Sequence, residues 1–268
     1  MDGSPLEKMR TAVDAEGRVA YRLMLHGQAL ALNELVGRAF TLRFTGARTC
    51  MACGKRVKKF YGQGLCWPCL STAPEASPCI IRPELCEAHL GRGRDPAWEQ
   101  THHLQEHAVY LAFTGAVKVG VTRSTQVPVR WVDQGADRAL PVARVPHRQL
   151  AGRIECDLKR LFTDRTQWKA MLSAPATADA HDQLLRARAL VLEQTAPELK
   201  PYLLPGEEPM QLHYPLRDLP PKLTNVHLDK LDEVQGCLLG IKGQYLVWAD
   251  GRVLNVRNHT GYHVEVMA

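Results

Sequence analysis

Two pairs of cysteines constrain this chain more than any other feature of its sequence. Two residues separate Cys50 from Cys53 and Cys66 from Cys69, and 12 residues lie between the pairs. A two-residue spacer lets both sulfurs of a pair reach one ion, and a second pair completes a tetrahedron of thiolates. Four protein ligands leave no open position for chemistry. The spacing therefore predicts a structural zinc site of the ribbon or knuckle type.

The alternatives for these cysteines are two disulfides or four buried thiols. Disulfides belong to oxidising compartments. The first residues include Lys8 and Arg10 and contain no apolar signal segment, and the two remaining cysteines, Cys156 and Cys237, lie far apart in the sequence. We therefore expect a reducing, cytoplasmic location and zinc rather than disulfides.

A second group of candidate metal ligands follows the first. Cys79, Cys86 and His89 have the spacing C-x6-C-x2-H. Three further histidines lie a short way downstream: His102, His103 and His107. Three ligands plus one of these histidines would bind a second zinc ion, and we take His103 as the fourth ligand, with His107 next. The alternative is that the cysteines are small core residues and the histidines are surface groups.

Length and hydrophobic content indicate a globular chain of one to three domains, since 45% of its 268 residues are hydrophobic. No stretch approaches the run of about 20 apolar residues that a membrane helix requires, so we expect no membrane partner. The formal net charge is +6, from 34 Lys and Arg against 28 Asp and Glu.

Basic residues are concentrated between the two cysteine pairs, in residues 54–65, which we call the basic loop. It contains cations, no acidic residue and two aromatic rings. Cations beside stacking rings favour contact with phosphates and bases, whereas the alternative is a solvated loop. We predict that the chain binds DNA or RNA without reading its sequence, through Lys55, Arg56, Lys58, Lys59, Tyr61 and Arg123.

Composition divides the chain into five segments. They are an N-terminal β-unit (1–48), a zinc-binding segment with both groups of ligands (49–107), a central domain (108–198), a Pro-rich linker (199–221) and a C-terminal β-module (222–268). Extended segments are predicted between Ala20 and Phe44. A hairpin is predicted around Asp250-Gly251, because Asp-Gly is favoured where a tight turn needs positive φ.

The central domain has a regular order of predicted elements. They are a hairpin of strands 108–112 and 117–122, a short helix between Pro128 and Gly135, a strand over 140–145 and a helix over about 149–162. Apolar residues recur at helical spacing in the last helix, and Glu155 lies at the edge of that apolar stripe.

This order of parts resembles the GIY-YIG nuclease core over roughly Ala108 to Leu172. The matching residues are Tyr110 on the first strand, Lys118-Val119-Gly120 on the second, Arg130 on the next helix and Glu155 on the later helix. The resemblance implies an α+β protein whose central domain has a small mixed sheet with helices, with a zinc-ribbon or knuckle insert and flanking β-modules.

The resemblance also implies metal-dependent hydrolysis of a phosphodiester in DNA or RNA. Glu155 would bind Mg²⁺ or Mn²⁺, Arg130 would contact the phosphate, and Tyr110 would orient or deprotonate the attacking water. Lys118 stands where the family has an aromatic residue and keeps a polar head near the phosphate. The alternatives are that Tyr110 fills the core of the sheet, that Arg130 pairs with Asp133 and that Glu155 pairs with Lys159.

Nearly the whole chain resembles a largely uncharacterised bacterial family, a domain of unknown function. The likeness lies in the cysteine pairs, the segment Cys79 to His107, the phrase VKVGVTR followed by RWVDQGA, and the terminal phrase GIKGQYLVW. Two main functions are therefore considered: a zinc-stabilised nucleic-acid-binding protein with nuclease activity, or a non-catalytic RNA- or DNA-binding module in a ribosome-associated or repair assembly. A protein-interaction scaffold with zinc knuckles is a third.

Overall fold

A computed structural model describes residues 3–173 and 179–268 of the chain. Residues 1–2 of the predicted N-terminal β-unit and 174–178 of the predicted central domain lie outside this description. The described residues up to Ser71 and His213–Ala268 form a first compact unit, and Thr72–Leu212 form a second. Within the described ranges, no helix combines the length and the apolar character needed to cross a membrane.

The regular elements are numbered in chain order. The strands are β1 (Ser4–Pro5), β2 (Arg10–Val13), β3 (Val19–Leu25), β4 (Gln28–Ala31), β5 (Ala39–Arg48), β6 (His107–Phe113), β7 (Val117–Arg123), β8 (Arg138–Val145), β9 (Met210–Gln211), β10 (Thr224–Asn225), β11 (Glu233–Lys242), β12 (Tyr245–Trp248), β13 (Arg252–Asn255) and β14 (Tyr262–Met267). The helices are α1 (Trp67–Thr72), α2 (Pro96–His102), α3 (Val129–Asp133), α4 (Arg148–Leu158), α5 (Trp168–Ser173) and α6 (Ala180–Gln194).

In the first unit, the residues that the structure describes form two sheets. The larger has seven strands in the order β1-β14-β5-β11-β12-β13-β10, and the smaller has the order β2-β3-β4. Strand β10 runs parallel to β13, whereas the other neighbouring strands are antiparallel. The predicted extended segments between Ala20 and Phe44 are confirmed as β3, β4 and β5.

The core of the larger sheet follows from alternation of side chains along its strands. In β5, Phe40, Leu42 and Phe44 are buried, because successive side chains of a strand point to opposite faces. Trp248 in β12 packs on Phe40 with ring centroids 6.1 Å apart and donates its indole N–H to the Phe40 carbonyl oxygen at 3.2 Å. The predicted terminal hairpin is confirmed, and Gly251 in its turn has φ +86°.

The two compact units group the five predicted segments in a way that composition did not indicate. Strand β5, from the predicted N-terminal β-unit, lies between β14 and β11 of the predicted C-terminal β-module. The predicted zinc-binding segment is divided after Ser71. The predicted linker contributes β9 to the sheet of the second unit. Strand pairing between distant segments decides this grouping, and such pairing leaves no local signal in the sequence.

The described residues of the second unit form a four-stranded sheet in the order β7-β6-β8-β9, with antiparallel neighbours. The predicted hairpin, short helix and third strand of this region are confirmed as β6 with β7, α3 and β8. Helices α4 and α6 cover the sheet with apolar side chains that include Ile154 and Leu184. Together with the first unit, this confirms the α+β class.

Helix α4 ends at Leu158, four residues before the predicted end at Phe162. The chain leaves the helix because Thr163 forms an isolated parallel bridge with Lys118, and its carbonyl oxygen accepts the N–H of Val119 at 3.0 Å. Leu161 and Phe162 still pack against the core from the turn that follows the helix. A contact with the sheet thus overrides helical periodicity.

The close approach of α4 to the turn Pro83–Leu85 yields a prediction. A Cβ at Gly152 would lie 2.1 Å from the Glu84 nitrogen and 2.4 Å from the Pro83 carbonyl carbon. Alanine adds roughly 1 kcal/mol of stability through helix propensity, but here its Cβ would meet backbone atoms, which cannot yield as a flexible side chain does. The clash outweighs the propensity, and Gly152→Ala should destabilise the second unit by about 1–3 kcal/mol in total. Thermal melting measures the change.

Gly206→Ala is the matched control, since a Cβ there meets nothing within 4 Å. Its melting temperature should stay close to that of the wild type. Equal melting of the Gly152 variant and the wild type would contradict the packing of α4 against this turn.

Candidate metal centres and nucleic-acid interface

The first cysteine group consists of Cys50, Cys53, Cys66 and Cys69 in the first unit. Cys50 follows the end of β5, where Thr49 donates its N–H to the Gly261 carbonyl oxygen at 2.9 Å. The second pair lies at the start of α1. One ligand, Cys50, is fully buried, whereas Cys53 is exposed. The group is therefore anchored to the sheet on one side and faces solvent on the other.

The four sulfurs of the first cysteine group converge. All four lie within 4.8 Å of one another, and the sulfurs of Cys53 and Cys66 are 3.9 Å apart. All of the chain's cysteines are free thiols. Four thiolates in this arrangement could hold a zinc ion, as the spacing predicted, and they would fill its tetrahedral coordination.

Backbone N–H groups favour the thiolate form of one of these cysteines, which is the form that binds a metal. Burial opposes ionisation of Cys50, but N–H groups of Cys66, Cys53 and Ala52 outweigh it and lower the pKa of the Cys50 thiol to about 6. The Cys66 N–H donates to the Cys50 sulfur at 3.3 Å. The neighbouring Cys66 sulfur, by contrast, raises the pKa of Cys69 to about 12. A divalent cation is what allows all four sulfurs to be thiolates together.

A second convergent group, Cys79, Cys86 and His103, lies in the second unit. The ligand atoms lie within 4.8 Å of one another, and all three residues are buried. His103 Nδ1 is 3.5 Å from the Cys86 sulfur and 3.9 Å from the Cys79 sulfur. This group also could bind zinc. Hydrogen bonds from Cys79 and His103 lower the pKa of the Cys86 thiol to about 4, although burial opposes this.

Short local signals position the second group. Pro78 and Pro83 begin the two 3-10 turns around the cysteines, and proline is favoured at the first helical position. Asp95 caps the start of helix α2, and its carboxylate accepts the N–H groups of Ala97 and Trp98 at 3.0 and 3.1 Å. His103 directly follows the helix, and its ring lies beside the two sulfurs.

The other predicted histidine ligands lie elsewhere. His102 stacks on Trp98 with ring centroids 4.0 Å apart. His107 begins β6, and its Nδ1 contacts the Gln105 carbonyl oxygen at 2.7 Å. His89 is exposed, and its ring stacks on that of His147 with centroids 4.8 Å apart. The structure therefore brings His103, rather than these three, to the two cysteines.

The basic loop carries exposed cations beside an exposed aromatic pair. Lys55, Arg56, Lys58 and Lys59 are exposed. Tyr61 and Trp67 are 49% and 59% exposed, and their rings meet edge to face with centroids 5.5 Å apart. The Lys59 ammonium lies over the Tyr61 ring, 4.8 Å from its centroid. Burying such rings against bases would be favourable.

A polar cavity of about 260 Å³ opens in the same unit. Its lining includes Gln63 of the basic loop together with His227, Arg257 and Asn258. The cavity therefore combines hydrogen-bonding groups with a guanidinium in the unit that also carries the first cysteine group.

The predicted catalytic residues gather in the second unit. Tyr110 in β6 is fully buried, Lys118 in β7 and Glu155 in α4 are buried, and Arg130 in α3 is partly buried. The charges of Arg130 and Glu155 act on both Tyr110 and Lys118, so the four side chains form one cluster. Arg123, predicted to contact nucleic acid, lies at the other end of β7, opposite His107 in the register of β6 and β7.

Burial dominates the electrostatics of this cluster. It raises the pKa of Tyr110, against the opposing charge of Arg130, and it raises the pKa of Glu155, against that of Lys159. It lowers the pKa of Lys118 to about 8, and the charge of Arg130 acts in the same direction. Lys118 Nζ donates to Thr166 Oγ1 at 2.8 Å, and Lys159 Nζ lies 3.3 Å from Glu155 Oε2.

The sequence patterns did not single out two residues of these sites, Trp67 and Glu99. Trp67 lies directly after Cys66, and a single aromatic residue there belongs to no helical or strand periodicity. Its position inside a predicted zinc knuckle was the available signal that it could stack on a base. Glu99 is buried beside His103. Its position one helical turn before a candidate ligand was the available cue.

Comparison with known proteins adds a family but no activity. A family model described as "Protein of unknown function (DUF2797)" matches residues 37–264. The match takes in both groups of candidate zinc ligands and the cluster around Tyr110. No curated protein and no solved structure matches the chain.

Proposed function

Because this chain belongs to the DUF2797 family, whose description assigns no activity, we propose its function from the two sites themselves. The protein is a zinc-stabilised nucleic-acid-binding protein, and its second unit contains a GIY-YIG-like domain (108–198) that hydrolyses phosphodiesters in DNA or RNA. Its free thiols suit a reducing, cytoplasmic environment.

One observation carries the proposal of nucleic-acid binding: the exposed pair of Tyr61 and Trp67 beside the cations of the basic loop. Lysine and arginine attract phosphates whatever the sequence, and aromatic faces stack on any base. The first zinc site would hold both kinds of group in one place, because Trp67 lies between two of its ligands. Single-stranded nucleic acid, with unpaired bases, is the form that this combination fits best.

The double variant Lys58→Ala/Lys59→Ala tests this interface. Removing two phosphate contacts should weaken binding and lower the slope of log K against log salt by about 1.4–1.8, since each contact contributes roughly 0.7–0.9. Fluorescence anisotropy with labelled single-stranded DNA and RNA of equal length, at several salt concentrations, measures both quantities. The variant Trp67→Ala should lose about 1–3 kcal/mol of binding free energy through stacking, with little change in slope.

Lys8→Ala/Lys222→Ala is the matched control, because it removes the same charge from exposed positions of the first unit outside the basic loop. Its salt slope should change less than that of the loop variant. If the two double variants bind equally well, net charge rather than the basic loop accounts for binding.

The proposal of hydrolysis rests on the cluster of Tyr110, Lys118, Arg130 and Glu155. The order of their elements, two antiparallel strands, a short helix, a strand and a longer helix, is the order that the GIY-YIG resemblance requires. A carboxylate can hold a hard cation that polarises the phosphate, and a guanidinium can neutralise charge that develops on its oxygens. Mg²⁺ or Mn²⁺ at Glu155 would supply that cation.

Incubation of the zinc-loaded chain with supercoiled DNA and with structured RNA tests hydrolysis. Nicking should require added Mg²⁺ or Mn²⁺. The control omits the added cation instead of adding a chelator, because a chelator would also remove zinc. Binding without cleavage in either metal would contradict hydrolysis and leave the binding proposal intact.

The alternative, a non-catalytic RNA- or DNA-binding module in a ribosome-associated or repair assembly, is favoured by one observation. Tyr110 is fully buried, and Glu155 is paired with Lys159, so neither group faces open solvent. A phenol that orients an attacking water needs access to that water.

A further inference from the structure

We propose that Glu99 is the fourth ligand of a second metal centre and completes the set of Cys79, Cys86 and His103. The ligands are then two thiolates, one imidazole and one carboxylate, all of which zinc accepts. The inference goes beyond the proposed nucleic-acid function and does not depend on it, because it concerns only the metal content of the second unit.

The position of the Glu99 carboxylate carries the assignment. Glu99 is only 4% exposed, although glutamate is almost never buried without a partner. Its Oε2 lies against His103 Nδ1, and in the described part of the chain no hydrogen bond of ordinary geometry reaches that oxygen. A buried carboxylate in this state needs a cation.

His103 meets the sulfurs and the carboxylate with the same nitrogen. Its Nδ1 is the atom that lies 3.5 Å from the Cys86 sulfur and 3.9 Å from the Cys79 sulfur. A neutral imidazole that offers Nδ1 to a metal carries a lone pair there, which would repel a carboxylate oxygen. The Glu99 oxygens lie outside the group of three ligand atoms that are within 4.8 Å of one another. The flexible glutamate side chain must therefore turn away from Nδ1 to reach a divalent ion bound by the other three atoms, and that turn removes the repulsion.

The local backbone explains why Glu99 points inward. Glu99 in α2 and His103, the residue that follows α2 and donates its N–H to the Glu99 carbonyl oxygen, are one turn apart, so their side chains lie on one face. Gly93 leaves the space for the glutamate, because a Cβ there would lie 2.6 Å from Glu99 Cγ and 2.7 Å from its Oε1. Leu104, the next residue after His103, packs on Cys79 and Cys86 and holds the helix end against them.

Charge balance is consistent with this ligand set. Two thiolates and one carboxylate exceed the charge of one Zn²⁺ by one negative unit. Arg148 donates from Nε to the Cys79 carbonyl oxygen and from Nη2 to the Ile80 carbonyl oxygen, each at 2.9 Å. Its guanidinium is therefore held beside the centre and offsets the remaining negative charge.

The competing fourth ligand is His89, which sequence spacing favours. Its ring is exposed and stacks face to face on His147, whereas Glu99 is buried against the ligand nitrogen. A structural metal centre in a water-excluded site is better completed by the buried group, whose Oε2 lies against the ligand nitrogen of His103 and, in the described part of the chain, accepts no hydrogen bond of ordinary geometry.

Zinc content and zinc release from the full chain test the proposal. The wild type should contain two zinc ions by elemental mass spectrometry and should release them to a chromophoric chelator in two phases. Cys79→Ser identifies the phase that belongs to the second centre. Glu99→Gln keeps the shape of the side chain and removes its charge. It should weaken zinc binding at the second centre by more than about 100-fold and speed that phase of release, since loss of a residue that only contacts a ligand costs about 10–100-fold in metal affinity.

Two further variants provide controls. His89→Ala should keep both zinc ions and both release phases. Glu99→His, which supplies another zinc ligand one turn before His103, should restore the second zinc that Glu99→Gln loses. These two variants decide the question even if Glu99→Gln does not fold.

Three results would overturn the assignment: a wild type with zinc only in the first cysteine group, a Glu99→Gln variant with unchanged release, or loss of the second zinc in His89→Ala. None of these measurements uses nucleic acid, so failure here is distinct from failure of the proposed function.

Discussion

Replacing Cys50 with serine should cost the chain one zinc ion and most of the stability of its first unit. Cys50 is the fully buried ligand of the first cysteine group, and three backbone N–H groups favour its thiolate. A serine hydroxyl remains neutral and cannot replace that thiolate. Because metal binding is coupled to folding, roughly 10 kcal/mol or more of zinc-binding free energy would be at stake.

Three measurements on the Cys50→Ser variant follow from this expectation. Elemental analysis should show one zinc ion fewer than in the wild type, and thermal melting should move to a lower temperature or lose its cooperativity. Hydrogen exchange should rise first over residues 50–69, since a short loop-rich segment has little apolar burial to hold it without metal.

Cys237→Ser is the matched control, because Cys237 is an exposed cysteine of the same unit outside both ligand groups. A surface substitution of this kind changes stability by no more than about 0.5 kcal/mol. If Cys50→Ser keeps its zinc and melts with the wild type, thiolate coordination does not organise the first unit.

Replacing Glu155 with glutamine should abolish metal-dependent cleavage while the zinc content stays unchanged. Glutamine keeps the size and the hydrogen-bonding oxygen of the side chain but removes the charge that would hold Mg²⁺ or Mn²⁺. A metal ion contributes several kcal/mol of charge stabilisation to a phosphoryl transition state, so the cleavage rate should fall by about 10³-fold or more. Single-turnover cleavage of a labelled substrate measures the loss.

Asp164→Asn is the matched control for Glu155→Gln. Asp164 and Glu155 each lie 3.3 Å from Lys159 Nζ, so both variants remove one ion pair of the same lysine. Only Glu155 is proposed to bind the cation, and Asp164→Asn should retain most of the activity. Equal cleavage by the Glu155 variant and the wild type would rule out this carboxylate as the metal ligand of the reaction.

Local features of the fold were predictable from the sequence. The strands at Tyr21 and Phe40 follow from alternation, and the hairpin at Asp250-Gly251 follows from turn chemistry. Neighbours within a few residues decide these features. The end of α4 at Leu158 was missed because a bridge between Thr163 and Lys118, 45 residues apart in sequence, ends the helix.

The sequence predicted the first cysteine group completely and the second group only in part. Spacing alone indicated the first cysteine group, since each pair is a local chelate. In the second group the fourth ligand was open among three histidines, and packing selected His103 but placed the predicted ligand His89 against His147 instead. Trp67 and Glu99 were missed, because exposure beside Tyr61 and burial beside His103 are properties of the folded chain.

By itself, the sequence determined which ligands are available and where short strands and turns form, because these depend on side-chain chemistry and on neighbours along the chain. Only the tertiary structure decided that β5 pairs with β11 and β14, and that Glu99 faces the His103 nitrogen. The physical reason is that such contacts join residues whose encounter depends on how whole elements pack, and packing is set by the complete core rather than by any single segment.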